Sequence, residues 1–298
     1  MSHKFHFSKE SKARLKNFLL GEKHQENQEP VKEVTEQEKP VEKAETAPVQ
    51  PEKAKPARKS TVQVVTRTHI GKVRRTNQDA LIESPENRLW GVADGMGGHN
   101  GGETASSGAR DGVIELLNGK EPEQGSLRTA IGAVNRRLFL QQKEDESLSG
   151  MGTTLTALWL SDTCVYIGHV GDNRAYRIRE GVMEQITDDH SVVAELMRSG
   201  MLTREQAATH PMRNVITRAV GTEDGIEIDL LCEERRAGDV WMVCSDGLYG
   251  MVDDGKIADI LKANKPEKAA DKLIDAALEG GGRDNISLVI LLDKEGNA

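Results

Sequence analysis

The stretch LWGVADGMGGHNGGE, Leu89 to Glu103, is an apolar run that ends on an aspartate and then places glycine at five of the next eight positions. A strand that only had to stop needs one turn residue. Repeated glycine after an acid means that backbone must come close to something held there, because a Cβ would keep it away. The later glycines let the loop pass closely before a helix opening at Glu103.

Working outward, short apolar and β-branched runs predict strands at Thr61–Thr68, Asp79–Ser84, Arg88–Ala93, Gly152–Leu160, Cys164–Val170, Arg174–Ile178, Asp239–Ser245 and Ile286–Leu292. Helical spacing predicts helices at Glu103–Leu117, Leu127–Gln142, Val192–Ser199, Lys256–Ala263 and Pro266–Leu278. Strands cluster, with helices inserted in blocks and no strict alternation. That pattern indicates an α+β fold with antiparallel sheets and helices packed outside, and argues against a doubly wound sheet.

The 298 residues are only 37% hydrophobic, and the shortfall lies in the first 60. Residues 21–60 are rich in Glu, Lys, Gln and Pro, so they cannot bury enough apolar surface to order themselves and read as a disordered linker. Before them, Ser8 to Leu20 reads either as a short amphipathic docking segment within residues 1–20 or as a frayed end. The remainder, 61–294, is a single unit large enough to bury roughly 70% of its surface without a stapling metal or disulfide.

A net charge of −8 excludes a protein built to coat nucleic acid. No apolar run reaches membrane-spanning length, and the N-terminus lacks a secretory apolar core, so a cytoplasmic monomer with no membrane span is expected. Cys164, Cys232 and Cys244 are odd in number, lack CxxC spacing and sit in apolar runs, so they read as buried small hydrophobes in a reducing compartment.

Four places share one grammar, in which an apolar strand is followed by an aspartate beside glycine or asparagine: Asp94, Asp172, Asp246 and Asp284. Asp79 opens a strand. One such acid is ordinarily a turn residue. If all five converge, each pair about 5 Å apart repels by roughly 3 kcal/mol at an effective dielectric of ~20. Such a group requires protons or a cation. Oxygen ligands without cysteine point to Mg²⁺ or Mn²⁺ over Zn²⁺, and a pair of these ions suits phosphoryl transfer. Asp94 can bridge two ions, and Gly95 can turn its carbonyl onto one of them. Arg74, five residues before Asp79, supplies a guanidinium able to grip two phosphate oxygens. Arg75 would face the other way if the segment is extended.

Taken together, RRTNQDA, WGVADGMGGHNGGE, GMGTTLTAL, GHVGDNRAY, CSDGLY and GGRDNISLV resemble, in order and spacing, the metal-dependent PPM (type 2C) serine/threonine phosphatases in their bacterial form. The resemblance runs from about Val62 to Leu292. It implies a central antiparallel β-sandwich flanked by helices on both faces, with a metal site at one edge of the sheets. Residue by residue, Asp94 resembles the bridging ligand and Gly95 the carbonyl donor. Asp246 and Asp284 resemble the remaining ligands of the first ion, and Asp79 the acid that holds a metal-bound water. Asp172 with Asp246 resembles the third-metal site of bacterial members, and Arg74 the phosphate-binding arginine. The implied chemistry is attack by a metal-activated water on phosphoserine or phosphothreonine without a phosphoenzyme, with a serine/threonine kinase as the opposing partner.

The chain departs from that pattern at several points. Met96 stands where animal members have a histidine proposed as the general acid, and it cannot donate a proton. His99 reads as a loop-packing residue, a catalytic role being its other reading. Gln78 replaces a glutamate ligand of some members, and Asn173 replaces the commoner serine. Ser191 to Thr217 matches the variable flap of bacterial members, with AELMRSGMLT as its helical part. His190 reads as ordering the start of that helix.

Other nucleophiles fit less well. Six residues after the three cysteines come Val170, Gly238 and Gly250, so no Cys-x5-Arg phosphate loop exists. GxxxxGK[ST] and GxGxxG are absent. A non-catalytic phosphatase-like module and a two-metal hydrolase of nucleic acid or small phosphoesters remain as rivals, separable by turnover of a phosphopeptide against a phosphodiester.

Overall fold

The computed structural model describes residues 61–97 and 101–294. The docking segment at 1–20, the linker at 21–60 and His99 lie outside the described residues. Within them, eleven strands run in order: β1 Thr61–His69, β2 Asp79–Ser84, β3 Leu89–Met96, β4 Gly152–Thr153, β5 Leu155–Leu160, β6 Cys164–Val170, β7 Arg174–Arg179, β8 Val182–Gln185, β9 Asp229–Glu234, β10 Val240–Cys244 and β11 Ile286–Lys294. The α-helices are α1 Gly101–Leu117, α2 Gln124–Glu144, α3 Val192–Arg198, α4 Arg204–Thr209, α5 Asp246–Tyr249, α6 Asp254–Ala263 and α7 Pro266–Glu279.

Two antiparallel sheets form a sandwich, one ordered β1-β11-β10-β7-β8 and the other β2-β3-β5-β6-β9, with β4 added to β3. Side chains alternate across each strand, and the alternation divides the core. Trp90, Val92, Leu158, Val165 and Ile167 of the second sheet meet Trp241, Val243, Val289 and Leu291 of the first. The other face of the second sheet, through Ile82, Leu89 and Ala93, packs on Ala105, Val113, Leu127 and Ile131 of α1 and α2. The outer face of the first, through Met242, Leu288 and Ile290, packs on Ile257, Leu261, Leu273 and Ile274 of α6 and α7. Helices therefore cover both faces of an α+β sandwich. Covered on both sides, β3 and β5 are buried at every position, which explains why they read as unbroken apolar runs.

The elements differ from expectation in instructive places. β3 runs on through Asp94 to Met96, so this acid lies within its strand. The run Gly152–Leu160 is divided at Thr154 into β4 and β5. Asp284 precedes β11 and follows α7, so it does not end a strand. β8 and β9 escape the sequence pattern because VMEQ and DLLCEE, at the sheet edges, show no clean alternation. α4 carries a legible start signal, a capping box between Thr203 and Gln206, whose other polar residues mask it. Of the cysteines only Cys244 is buried; Cys164 is half-buried and Cys232 is exposed, because β9 is an edge strand.

Candidate metal centre

The strand period places the acids. Asp79 shares a face of β2 with Leu81, and Asp94 shares a face of β3 with Trp90 and Val92, so both turn toward the other sheet. In the β2–β3 ladder the two are direct partners. Ser245, at the end of β10 in the opposite sheet, donates through its hydroxyl to Asp79 Oδ2 at 2.9 Å. The next residue is Asp246, the first of α5. Asp79 and Asp94 thus lie together at one end of the gap between the sheets, and Asp246 follows the serine that reaches Asp79.

The backbone around Asp94 is clamped. Its N–H donates to Thr154 Oγ1 at 3.0 Å, and its carbonyl accepts from Thr154 N at 2.9 Å and Thr153 Oγ1 at 3.0 Å. Asp94 itself is only 7% exposed. Gly95 points to the helix face, where an added Cβ would lie 2.0 Å from the Gly102 carbonyl oxygen and 2.6 Å from that of Gln78. At Gly102 a Cβ would lie 2.6 Å from Gln78 Nε2. The close approach required by the glycine run is therefore, in part, an approach of β3 to the first turn of α1. Met96 has a different task from the histidine it replaces: it is buried with Ile216 and Ala219, tying the strand end to the segment after α4.

Arg74 lies in the β1–β2 connection, between a turn at Gly71–Val73 and a bend at Arg75–Thr76. It is half-buried while Arg75 is exposed. Its guanidinium reaches Asp284 Oδ2 at 2.6 Å. Burial works against the Arg74 cation, but Asp284 and then Asp94 and Asp246 more than offset it and hold the group above its ordinary value. One guanidinium thus feels three acids from three separate segments. Asn285 fixes this turn: its Oδ1 accepts from Gln78 N at 2.8 Å, and its Nδ2 donates to Ile70 O at 2.9 Å and Thr76 O at 3.0 Å. Asn285, Ser245 and Thr154 sit inside the quoted motifs, yet only the fold reveals what they hold.

Asp172, 4% exposed, follows the positive-φ Gly171 in the β6–β7 turn. Tyr249 of α5 donates to the Asp172 carbonyl at 2.9 Å. Burial raises the Tyr249 phenol well above its usual range, and Asp172, Asp189 and Asp246 add to the effect, so it stays a donor. Asn173 Nδ2 donates to Val92 O at 2.9 Å, joining the turn to β3. His190 ties the start of α3 to the same turn: its N–H donates to Gly171 O at 2.8 Å, and its Nδ1 accepts from Gly171 N at 3.0 Å. Burial, and next the neighbouring His169, push the His190 imidazole down to about 3. It is therefore neutral, with the proton on Nε2 facing Asp229 Oδ2 at 3.0 Å.

Among the described residues no three His, Cys, Asp or Glu side chains stand ready-made around one ion. Asp284 is drawn to Arg74, and Asp79 to Ser245. The donor chemistry nonetheless fits hard dications, since the groups at this edge are carboxylates and carbonyls with no thiol among them. Asp172, Asp246 and Asp284 also line one groove of about 1050 Å³, which runs beneath α3 and α4. Among the described residues no helix is long and apolar enough to cross a membrane.

Comparison with known proteins supports the family and the fold. Residues 67–277 match the family model described as Protein phosphatase 2C. A serine/threonine phosphatase stp of Listeria monocytogenes is 37% identical over 236 residues, covering 76% of this chain and 93% of that protein. The crystal structure of the Mycobacterium tuberculosis serine/threonine phosphatase PstP/Ppp superposes with a TM-score of 0.74 at 36% identity, covering 78% of this chain and 99% of that one. The PstP catalytic domain in complex with two manganese ions gives a TM-score of 0.72 at 35% identity, covering 78% and 98%. The chain belongs to the protein phosphatase 2C family.

Proposed function

We propose that this chain is a metal-dependent protein phosphatase that hydrolyses phosphoserine and phosphothreonine on proteins. The observation that carries the reading is Arg74, a half-buried guanidinium in the field of Asp284, Asp94 and Asp246. Asp94, the Gly95 carbonyl, Asp246 and Asp284 would hold two Mn²⁺ or Mg²⁺ ions, with Asp79 beside them and Asp172 joining Asp246 at a third. When bound, such ions supply a nucleophile at neutral pH and compensate charge on the phosphoryl group.

Arg74 would receive two phosphate oxygens through its planar fork and orient the ester for in-line attack. That role means releasing Asp284, its present partner, to the ions. Asp79, steadied by Ser245, would orient the attacking water and accept its proton. Met96 offers no proton, so the leaving oxygen would be protonated from solvent. The gathering of the acids and Arg74 counts against the non-catalytic module, and the named serine/threonine phosphatase relatives count against the rival hydrolase of nucleic acid or small phosphoesters.

In the cell we place the protein in the cytoplasm as a monomer opposing a serine/threonine kinase. The exposed large apolar side chains, such as Val73, Leu140 and Val182, lie on separate elements, which supports a monomer. The catalytic unit would be 61–294, so deleting residues 1–59 should leave peptide turnover nearly unchanged. The central test is phosphate release from a phosphothreonine peptide under Mn²⁺ and Mg²⁺ titration, with a chelator control. Turnover should require the metal and disappear with chelator. No metal-dependent release would end this reading.

A further inference from the structure

We infer that the groove beside the candidate centre selects phosphorylated segments with acidic flanks, and that Arg213 and Arg283 read that charge. The inference rests on the phosphatase reading and names its substrate class.

The argument comes from which groove charges are already answered. Asp189 takes Arg174 at 2.8 Å, and Asp254 takes Arg204 at 3.1 Å and Arg174 at 3.5 Å. Asp188 faces Arg198 at 3.9 Å, and Asp253 accepts from the backbone of Lys256 at 2.9 Å as the cap of α6. Of the four groove acids outside the candidate centre, three thus face an arginine and the fourth caps a helix. Arg213 and Arg283 also line the groove, and both are exposed. Neither forms an ion pair among the described residues. They come from different elements: Arg283 is the residue before Asp284 and borders the centre, while Arg213 follows α4. Exposed guanidiniums without an ion-pair partner favour carboxylate or phosphate on an incoming chain and repel lysine or arginine.

Each such exposed pairing is modest, and two together should amount to about five-fold. The experiment compares kcat/KM for three phosphothreonine peptides whose flanks carry glutamate, alanine or lysine, with a fourth carrying a second phosphothreonine in place of the glutamates. Expected is a preference of about five-fold for the glutamate over the alanine peptide, lower still for lysine. The preference should collapse toward unity in the double variant R213A/R283A and at high salt. Equal values for glutamate and alanine peptides, or a ratio unmoved in the double variant, overturn the inference. Whether carboxylate or a second phosphate is preferred identifies the natural flank.

A binding arm separates this inference from the reading beneath it. Fluorescence anisotropy with the unphosphorylated glutamate, alanine and lysine peptides reads the groove without turnover. The same order of affinity supports the groove even if no phosphopeptide is hydrolysed, which would sink the phosphatase reading alone. A glutamate peptide that binds no better than the alanine one removes the inference whether or not hydrolysis is seen.

Discussion

Asp79 and Asp94 are direct partners across the β2–β3 ladder, and both face the opposite sheet. Opposed Cα atoms in such a ladder stand about 4.5–5.5 Å apart. Two charged carboxylates there repel by roughly 3 kcal/mol at an effective dielectric of ~20. Asp94→Asn removes one charge with little change of shape. With chelator present its melting temperature should equal or exceed that of the parent, while phosphopeptide turnover falls at least about 100-fold. Scanning calorimetry and a phosphate-release assay check the two halves. Retained turnover would contradict the assignment of Asp94.

Arg74 meets Asp284 through a single contact, so the fork has donors to offer an ester. Arg74→Ala should lower kcat/KM by about 10- to 100-fold, the range of one or two hydrogen bonds to a charged group. Arg74→Lys keeps the charge but not the fork, and should recover only part of the loss. Steady-state kinetics on one peptide decides it. Full recovery with lysine would mean that charge alone matters.

Two glycines should respond in opposite directions to alanine. At Gly95 the new Cβ would meet backbone at 2.0 Å, which no rotamer relieves. Gly95→Ala should cost about 3 kcal/mol or more. Gly132 within α2 has nothing within 4 Å of its Cβ position, so Gly132→Ala should add about 0.5–1 kcal/mol. Urea midpoints for both variants test the contrast.

Acid should loosen the fold through buried imidazoles. His190 is pushed down to about 3, and burial also lowers the fully buried His169. The native state therefore binds fewer protons than the unfolded chain once the pH drops below the ordinary imidazole value. Stability is complete above about pH 6.5 and declines as pH falls from there toward the native value. Protonation at His190 Nδ1 would also expel the Gly171 N–H it accepts. Melting temperatures measured from pH 7.5 down to 4.5 should fall, and His190→Gln should flatten the slope. A pH-independent melting temperature over that span would refute the neutral assignment.

The strands that matter most were legible because they are buried on both sides: Leu89–Ala93 and Ile286–Leu292 are apolar nearly throughout. The candidate site stood out for a different reason, that acids beside glycine serve no core. What escaped was pairing. Nothing local in QDA or VADG says that Asp79 and Asp94 share one rung, or that β3 continues past its acid. The edge strands β8 and β9 lacked alternation because neither contains a fully buried residue, so no face of them demands a regular apolar row. Asn285 and Ser245 look like ordinary polar residues until their partners, 207 and 166 positions away, are brought alongside.

The acids of the centre are divided between the two layers: Asp79 and Asp94 ride on one, while Asp246 and Asp284 flank strands of the other. A slight slip along the seam would shear the constellation apart while leaving every hydrogen bond inside each sheet intact. Mild urea should therefore silence turnover before it alters far-ultraviolet ellipticity.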